Sequence, residues 1–164
     1  MAPVYGPADF AIAIRPFQPG DESAFRALNE EWISKYFGME HKDRVTLADP
    51  VGQILQPGGH IYIALDTDEP IGCCALISME PCVFELAKMA VAESYRGRGI
   101  GRRLLEHVVR QAEALGIRRL YLETNSRLAN AIHLYESVGF RLLPPERVTP
   151  SPYARSDVSM EMWL

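Results

Sequence analysis

The stretch spanning residues 86–103, LAKMAVAESYRGRGIGRR, concentrates the residue types in this chain best able to do chemistry. Three alternating glycines, Gly97, Gly99 and Gly101, stand among four arginines, Arg96, Arg98, Arg102 and Arg103. An apolar strand pattern runs into them, and a long helical pattern opens at about residue 100. A helix start presents unpaired backbone N–H groups and the positive end of its dipole, both of which suit phosphate. Glycine lets the main chain approach an anion with no Cβ in the way. Glycines and arginines together read as a pyrophosphate cradle rather than a plain turn.

The register of the motif separates possible ligands. A nucleoside-triphosphate loop needs G-x-x-x-x-G-K-[ST], and no Lys-Ser/Thr pair follows Gly101. A dinucleotide fingerprint needs G-x-G-x-x-G, whereas counting from Gly97 brings the third glycine one residue early. The pattern that fits is [Arg/Gln]-x-x-Gly-x-Gly, with Arg96, Gly99 and Gly101.

The elements around this turn alternate. A short strand is expected over residues 12–17 and stops at Pro19-Gly20. Asp21 stands where a helix N-cap belongs, and Ala24, Phe25, Leu28, Trp32 and Tyr36 recur at helical spacing up to Gly38. A second short helix is expected within residues 39–58. Apolar runs at 60–65 and 71–79, joined by Asp66-Thr67-Asp68-Glu69-Pro70, read as a hairpin. Strands over 84–91 and 120–124 flank the helix of about 100–115, whose apolar face is Ile100, Leu104, Val108, Ala112 and Leu115. A helix over 129–137 and strands over 140–143 and 158–163 complete the chain.

The 164 residues, 48% apolar and 23% charged, bound the answer to one ordinary globular domain. We expect residues 1–10 to be a loose leader and 11–164 a single α/β domain. With 17 Lys+Arg against 21 Asp+Glu, the net charge of −4 argues against a general nucleic-acid binder. No apolar stretch reaches the length of a membrane span, and no signal peptide is apparent, so a cytoplasmic protein is expected. Cys73, Cys74 and Cys82 show no metal-ligand spacing and read as buried reduced thiols. No metal is expected.

Two motifs in order, the arginine–glycine turn with its preceding strand ELAKMAVAESY and the later run A-I-H-L-Y-E-S-V-G-F of residues 131–140, resemble the GNAT superfamily of N-acetyltransferases. The resemblance covers most of the chain and is strongest over residues 85–141. It implies a mixed, mostly antiparallel sheet of about 6–7 strands flanked by about 4 helices, with splayed parallel strands forming the cleft for coenzyme A. It implies that acetyl-CoA is the co-substrate and a small-molecule or peptide amine the acceptor. The turn, Gly97, Arg98, Gly99, Ile100, Gly101 and Arg102 together with Arg96, would then hold the pyrophosphate. A bulged strand would offer the backbone of Met89, Ala90 and Val91 to pantetheine, one amide polarising the acetyl carbonyl.

The same resemblance makes Tyr135 the general acid toward the leaving thiolate and a further cofactor contact; a packed helix aromatic is the plainer alternative. An attacking amine must first lose a proton, and Glu85 and Glu123, both at strand ends, are the candidate bases. Each can equally be a solvated strand-end charge. Strand alternation puts Lys88 on the face opposite Glu85, which reads as structural. Where the family often carries an asparagine, this chain has Leu128, and Asn125 is the candidate substitute.

Acceptor selection is expected from residues 29–44 and from the proline-rich loop around Tyr153. There Glu30, Glu31, Trp32 and Tyr36 would form a wall hospitable to cations, or Trp32 simply packs. Direct attack is favoured over a covalent thiol route because no cysteine has a His or Asp signature nearby. The competing function is a catalytically silent acyl-CoA sensor on the same fold. In such sheets the exposed final strands often pair between subunits, so a homodimer is the candidate assembly.

Overall fold

The computed structural model describes residues 11–164; the expected leader, residues 1–10, lies outside the described residues. The order is β1 (Ile12–Pro16), α1 (Glu22–Tyr36), α2 (His41–Ala48), a π-helical turn (Val51–Leu55), β2 (His60–Asp66), β3 (Glu69–Glu80), β4 (Val83–Val91), α3 (Ile100–Ala114), β5 (Arg119–Thr124), α4 (Ala129–Val138), β6 (Arg141–Leu142) and β7 (Val158–Trp163). The seven strands form one sheet in the order β1-β2-β3-β4-β5-β7-β6. All neighbours are antiparallel except β4 and β5.

Continuous apolar runs in β2 and β3 follow from burial on both faces of the sheet. Ile61, Ile63, Cys73 and Ala75 point to a core completed by Phe25 and Ile33 of α1 and Leu47 of α2. Tyr62, Ala64, Cys74 and Leu76 point to the other face, against Leu104, Leu105 and Val108 of α3. Each buried leucine there contributes about 1.5–3 kcal/mol relative to exposure. Leu115, expected on the apolar face of α3, lies past its end and is exposed.

The hairpin is tighter than its sequence implies. Asp66 pairs with Glu69 across Thr67-Asp68, and Pro70 already belongs to β3. Thr67 takes φ +56, the left-handed conformation a two-residue turn demands. Asp21 precedes α1 as expected, yet its carboxylate does not cap the helix. It accepts Arg15 Nη1 at 2.6 Å and the Gln18 N–H at 2.7 Å. Cys73 and Cys74 are buried free thiols, whereas Cys82, also free, is exposed in the β3–β4 turn, contrary to expectation.

Candidate active site

The parallel pair β4–β5 holds together for only three registers: Val83 with Arg119, Phe84 with Leu120 and Glu85 with Tyr121. Beyond Glu85 the strands part and leave a V-shaped opening in the sheet. Residues 86–91 remain paired with β3, but the register slips between Ala75–Ala87 and Cys73–Ala90. Lys88 and Met89 thus oppose Cys74 alone, and Lys88 takes φ +52. This is a β-bulge of the kind that re-aims side chains beside functional clefts.

The bulge reverses the strand alternation at its key position. Lys88 turns toward the side that carries Glu85, and both line one cavity of about 320 Å³. Glu123 at the end of β5, Tyr135 on α4 and Tyr153 on the 143–157 loop line it too. The reading of Lys88 as a residue facing away from Glu85 is therefore corrected. A bulge has no composition of its own: the family resemblance implies one in this strand, but residue types alone do not place it at Lys88.

Burial and the neighbouring Glu123 push the Glu85 carboxyl up to about 7, against the opposing pull of Lys42 and Lys88. Glu123 itself is engaged: it accepts the Tyr121 hydroxyl at 2.9 Å and the Ser151 hydroxyl at 2.5 Å. Of the two carboxylates, Glu85 is the one placed to exchange a proton near neutrality. The Tyr135 ring packs edge-on to Phe140 at 5.9 Å, and among the described residues its hydroxyl has no hydrogen-bond partner. Its enclosure raises its proton affinity, so the phenol stays protonated and able to donate. The packed-aromatic alternative and the donor role are compatible in one residue.

Beneath Lys88 lies Asp43 of α2, fully buried. It accepts the Lys88 ammonium at 2.7 Å and both Arg155 Nη atoms at 2.6 and 2.7 Å. Burial alone would raise the Asp43 carboxyl, but these two cations hold it well below the usual carboxylate range. Lys88 also donates to the Tyr153 hydroxyl at 3.2 Å. Neither Asp43 nor Arg155 carried a motif; a polar residue at a buried position of α2 was the only trace.

In the glycine turn, Gly97 and Gly99 both take left-handed φ, +75 and +77, and Gly99 stands at the N-cap of α3. No atom would obstruct a Cβ at either position, so it is the backbone conformation that requires glycine. Gly101 lies 3.6 Å from Met89 Cε when given a Cβ, so a small residue seats α3 against β4. Arg96 Nε donates to the Val91 carbonyl at 3.0 Å, while its shielded Nη2 has no hydrogen-bond partner among the described residues. Arg102 reaches Ser137 Oγ at 2.9 Å, and Arg103 faces the Ile12 carbonyl. The open V, the left-handed glycines and the helix start suit an extended amide chain ending in a diphosphate.

Other expectations fall out differently. Ala90 and Ile100 are buried in the core, and neither lines the cavity. Asn125 borders the cavity, but its amide donates to the Arg155 carbonyl at 2.7 Å and its Oδ1 accepts the Arg127 N–H at 2.8 Å. Trp32 lines the cavity and packs at a tilt against Tyr36 and Phe37, with ring centroids 6.0 and 5.8 Å away. Glu30 pairs with Arg26, and Glu31 accepts the Glu93 N–H, so neither joins the expected wall.

The sequence matches the model of the Acetyltransferase (GNAT) family over residues 22–140. YjgM of Escherichia coli strain K12, an uncharacterized N-acetyltransferase, is 32% identical over 116 residues, spanning 66% of this chain and 70% of that protein. A GNAT-family acetyltransferase from Staphylococcus aureus Mu50 superposes with a TM-score of 0.82 at 21% identity, over 93% of this chain and 99% of that one. A Bacillus subtilis acetyltransferase crystallised with CoA superposes at 0.70 and 20% identity, over 93% and 99% of the two chains. At these identities the structural likeness speaks for the fold.

Proposed function

The chain belongs to the GNAT acetyltransferase family, and on that premise we propose that it transfers the acetyl group of acetyl-CoA to a primary amine by direct attack. The observation that carries this reading is Glu85, a carboxyl poised near 7 in the same cavity as the unpartnered hydroxyl of Tyr135. The CoA-bound relative from Bacillus subtilis supports a CoA-type carrier.

In this reading the amides of residues 97–102 and the Arg96 guanidinium receive the diphosphate at the start of α3. Pantetheine extends through the opening between β4 and β5, against the main chain of Met89, Ala90 and Val91. An amide donor there stabilises the developing oxyanion, which is typically worth about 3–4 kcal/mol. Glu85 removes a proton from the ammonium of the acceptor, directly or through water, with Glu123 adding negative potential beside it. The amine nitrogen then forms its bond to the acetyl carbonyl carbon. As the tetrahedral intermediate collapses, the carbon–sulfur bond breaks, the departing thiolate takes the Tyr135 proton, and the nitrogen gives up its second proton to the resulting phenolate, directly or through water. Cys73 is unsuited to a covalent route, since burial pushes its thiol up to about 12.

The test is an acceptor panel run at fixed acetyl-CoA with detection of free thiol. Release of thiol with at least one amine supports transfer. Binding of acetyl-CoA without release from any acceptor points to the sensor instead, and absence of binding removes the reading altogether.

A further inference from the structure

The Tyr153 ring is surrounded by three cations. Arg155 lies 4.4 Å from its centroid, Lys88 4.8 Å and Lys42 5.4 Å. Two of them are already neutralised: Asp43 accepts both Lys88 and Arg155, and Glu40 reaches Arg155 at 3.2 Å. Lys42 differs. Among the described residues its ammonium has no ion pair and no hydrogen bond, and it is exposed at the wall of the cavity that holds Glu85 and Glu123.

The cavity therefore pairs two carboxylates, at the point where an amine must be deprotonated, with one cation beside an aromatic face that attracts Glu85 at a distance but makes no direct ion pair among the described residues. Taking the acetyl-transfer reading as its basis, we propose that Lys42 receives a carboxylate of the acceptor, so that the acceptor is a free amino acid or similar zwitterion. The amine end of such a molecule meets Glu85 while its carboxylate meets Lys42. A polyamine would bring its second ammonium against Lys42, and like charges in a partly closed site disfavour the wrong partner. An amino-acid amide presents the same amine with nothing for Lys42 to hold. The neutral lining residues Thr46 and Gln53 impose no competing charge.

The test compares free L-amino acids, their carboxamides and spermidine as acceptors, with acetyl-CoA fixed, in the parent and in Lys42→Met and Lys42→Glu. Thermal unfolding checks that the variants remain folded; Lys42 is exposed, so its melting temperature should not move. The expected result is at least one amino acid preferred over its amide by about tenfold or more in kcat/KM, which corresponds to about 1.4 kcal/mol. Lys42→Met should erase that preference through KM, and Lys42→Glu should shift it toward the amide and spermidine. Amides used as well as acids, a preference that survives Lys42→Met, spermidine as the best acceptor, or no amine used at all would each overturn the proposal. Turnover of an amide or of spermidine by the parent would leave acetyl transfer itself standing.

Discussion

The Lys88 ammonium lies 2.7 Å from the Asp43 carboxylate and ties the bulge of β4 to α2. Lys88 is a non-glycine residue in a left-handed conformation within a strand, a backbone state that costs of order 1–3 kcal/mol and persists when its surroundings hold it. The buried carboxylate beneath it is such a hold. The same carboxylate secures Arg155, so one residue fixes both the cleft strand and the loop that carries Tyr153.

Asp43→Ala strands two cations in a poorly hydrated pocket, and breaking a buried ion pair from one side costs about 3–5 kcal/mol. Lys88→Met leaves Asp43 paired with Arg155 and should cost less. Denaturant unfolding at neutral pH checks the order; equal losses would mean that Arg155 does not compensate.

Glu85→Gln removes the proposed base. For the parent, kcat/KM should rise with pH through about 7 as the carboxyl ionises. In the variant that limb should vanish and the rate fall by about 10²–10⁴-fold. Stability moves the other way. A carboxyl whose folded value is raised from 4.5 to about 7 favours the fold below 4.5, an advantage lost as pH rises through 7. Glu85→Gln should therefore gain stability relative to the parent across that window, which melting curves from pH 4 to 8 would read.

Tyr135→Phe should leave acetyl-CoA affinity within about twofold, because the hydroxyl holds nothing in the protein, and lower kcat by roughly tenfold or more. Isothermal calorimetry and steady-state rates separate the two effects. Full activity at every pH would end the general-acid assignment.

Gly99→Val forces a β-branched residue into φ +77, at a cost of about 1–2 kcal/mol. The turn then changes shape, and acetyl-CoA affinity should drop by about tenfold or more. Gly116→Ala places a Cβ at the same φ beyond the far end of α3 and serves as the control. It should lower stability while leaving affinity alone.

Much of this was legible in the sequence, for identifiable reasons. Helical spacing from Phe25 and from Ile100 marks the faces that α1 and α3 bury, and alternation with punctuating glycines and prolines marks the strands. The arginine–glycine turn was legible because the left-handed backbone at Gly97 and Gly99 calls for glycine. Lys88 was misplaced because one extra residue in β4 inverts every face that follows, a change of register with no signature in residue types. Asp43, Arg155 and Lys42 were passed over because their meaning is purely tertiary: only the fold brings the neighbours Lys42 and Asp43 of α2 against Arg155 and Tyr153, more than a hundred residues further on. Glu30 and Glu31 misled in the opposite sense, since acidic side chains on an outward helix face look alike whether or not a cleft lies near.

The three-register contact between β4 and β5 has a thermodynamic corollary. A sheet interrupted from within carries an unfinished edge in its middle, where main-chain donors and acceptors rely on solvent. An extended carrier arm bearing its own amides is the natural filler, bridging the two halves as a non-protein strand would. Occupancy should then slow amide hydrogen exchange across residues 86–91 while leaving the paired strands β1 and β2 unaltered, turning a two-leaf sheet into a single stiff layer.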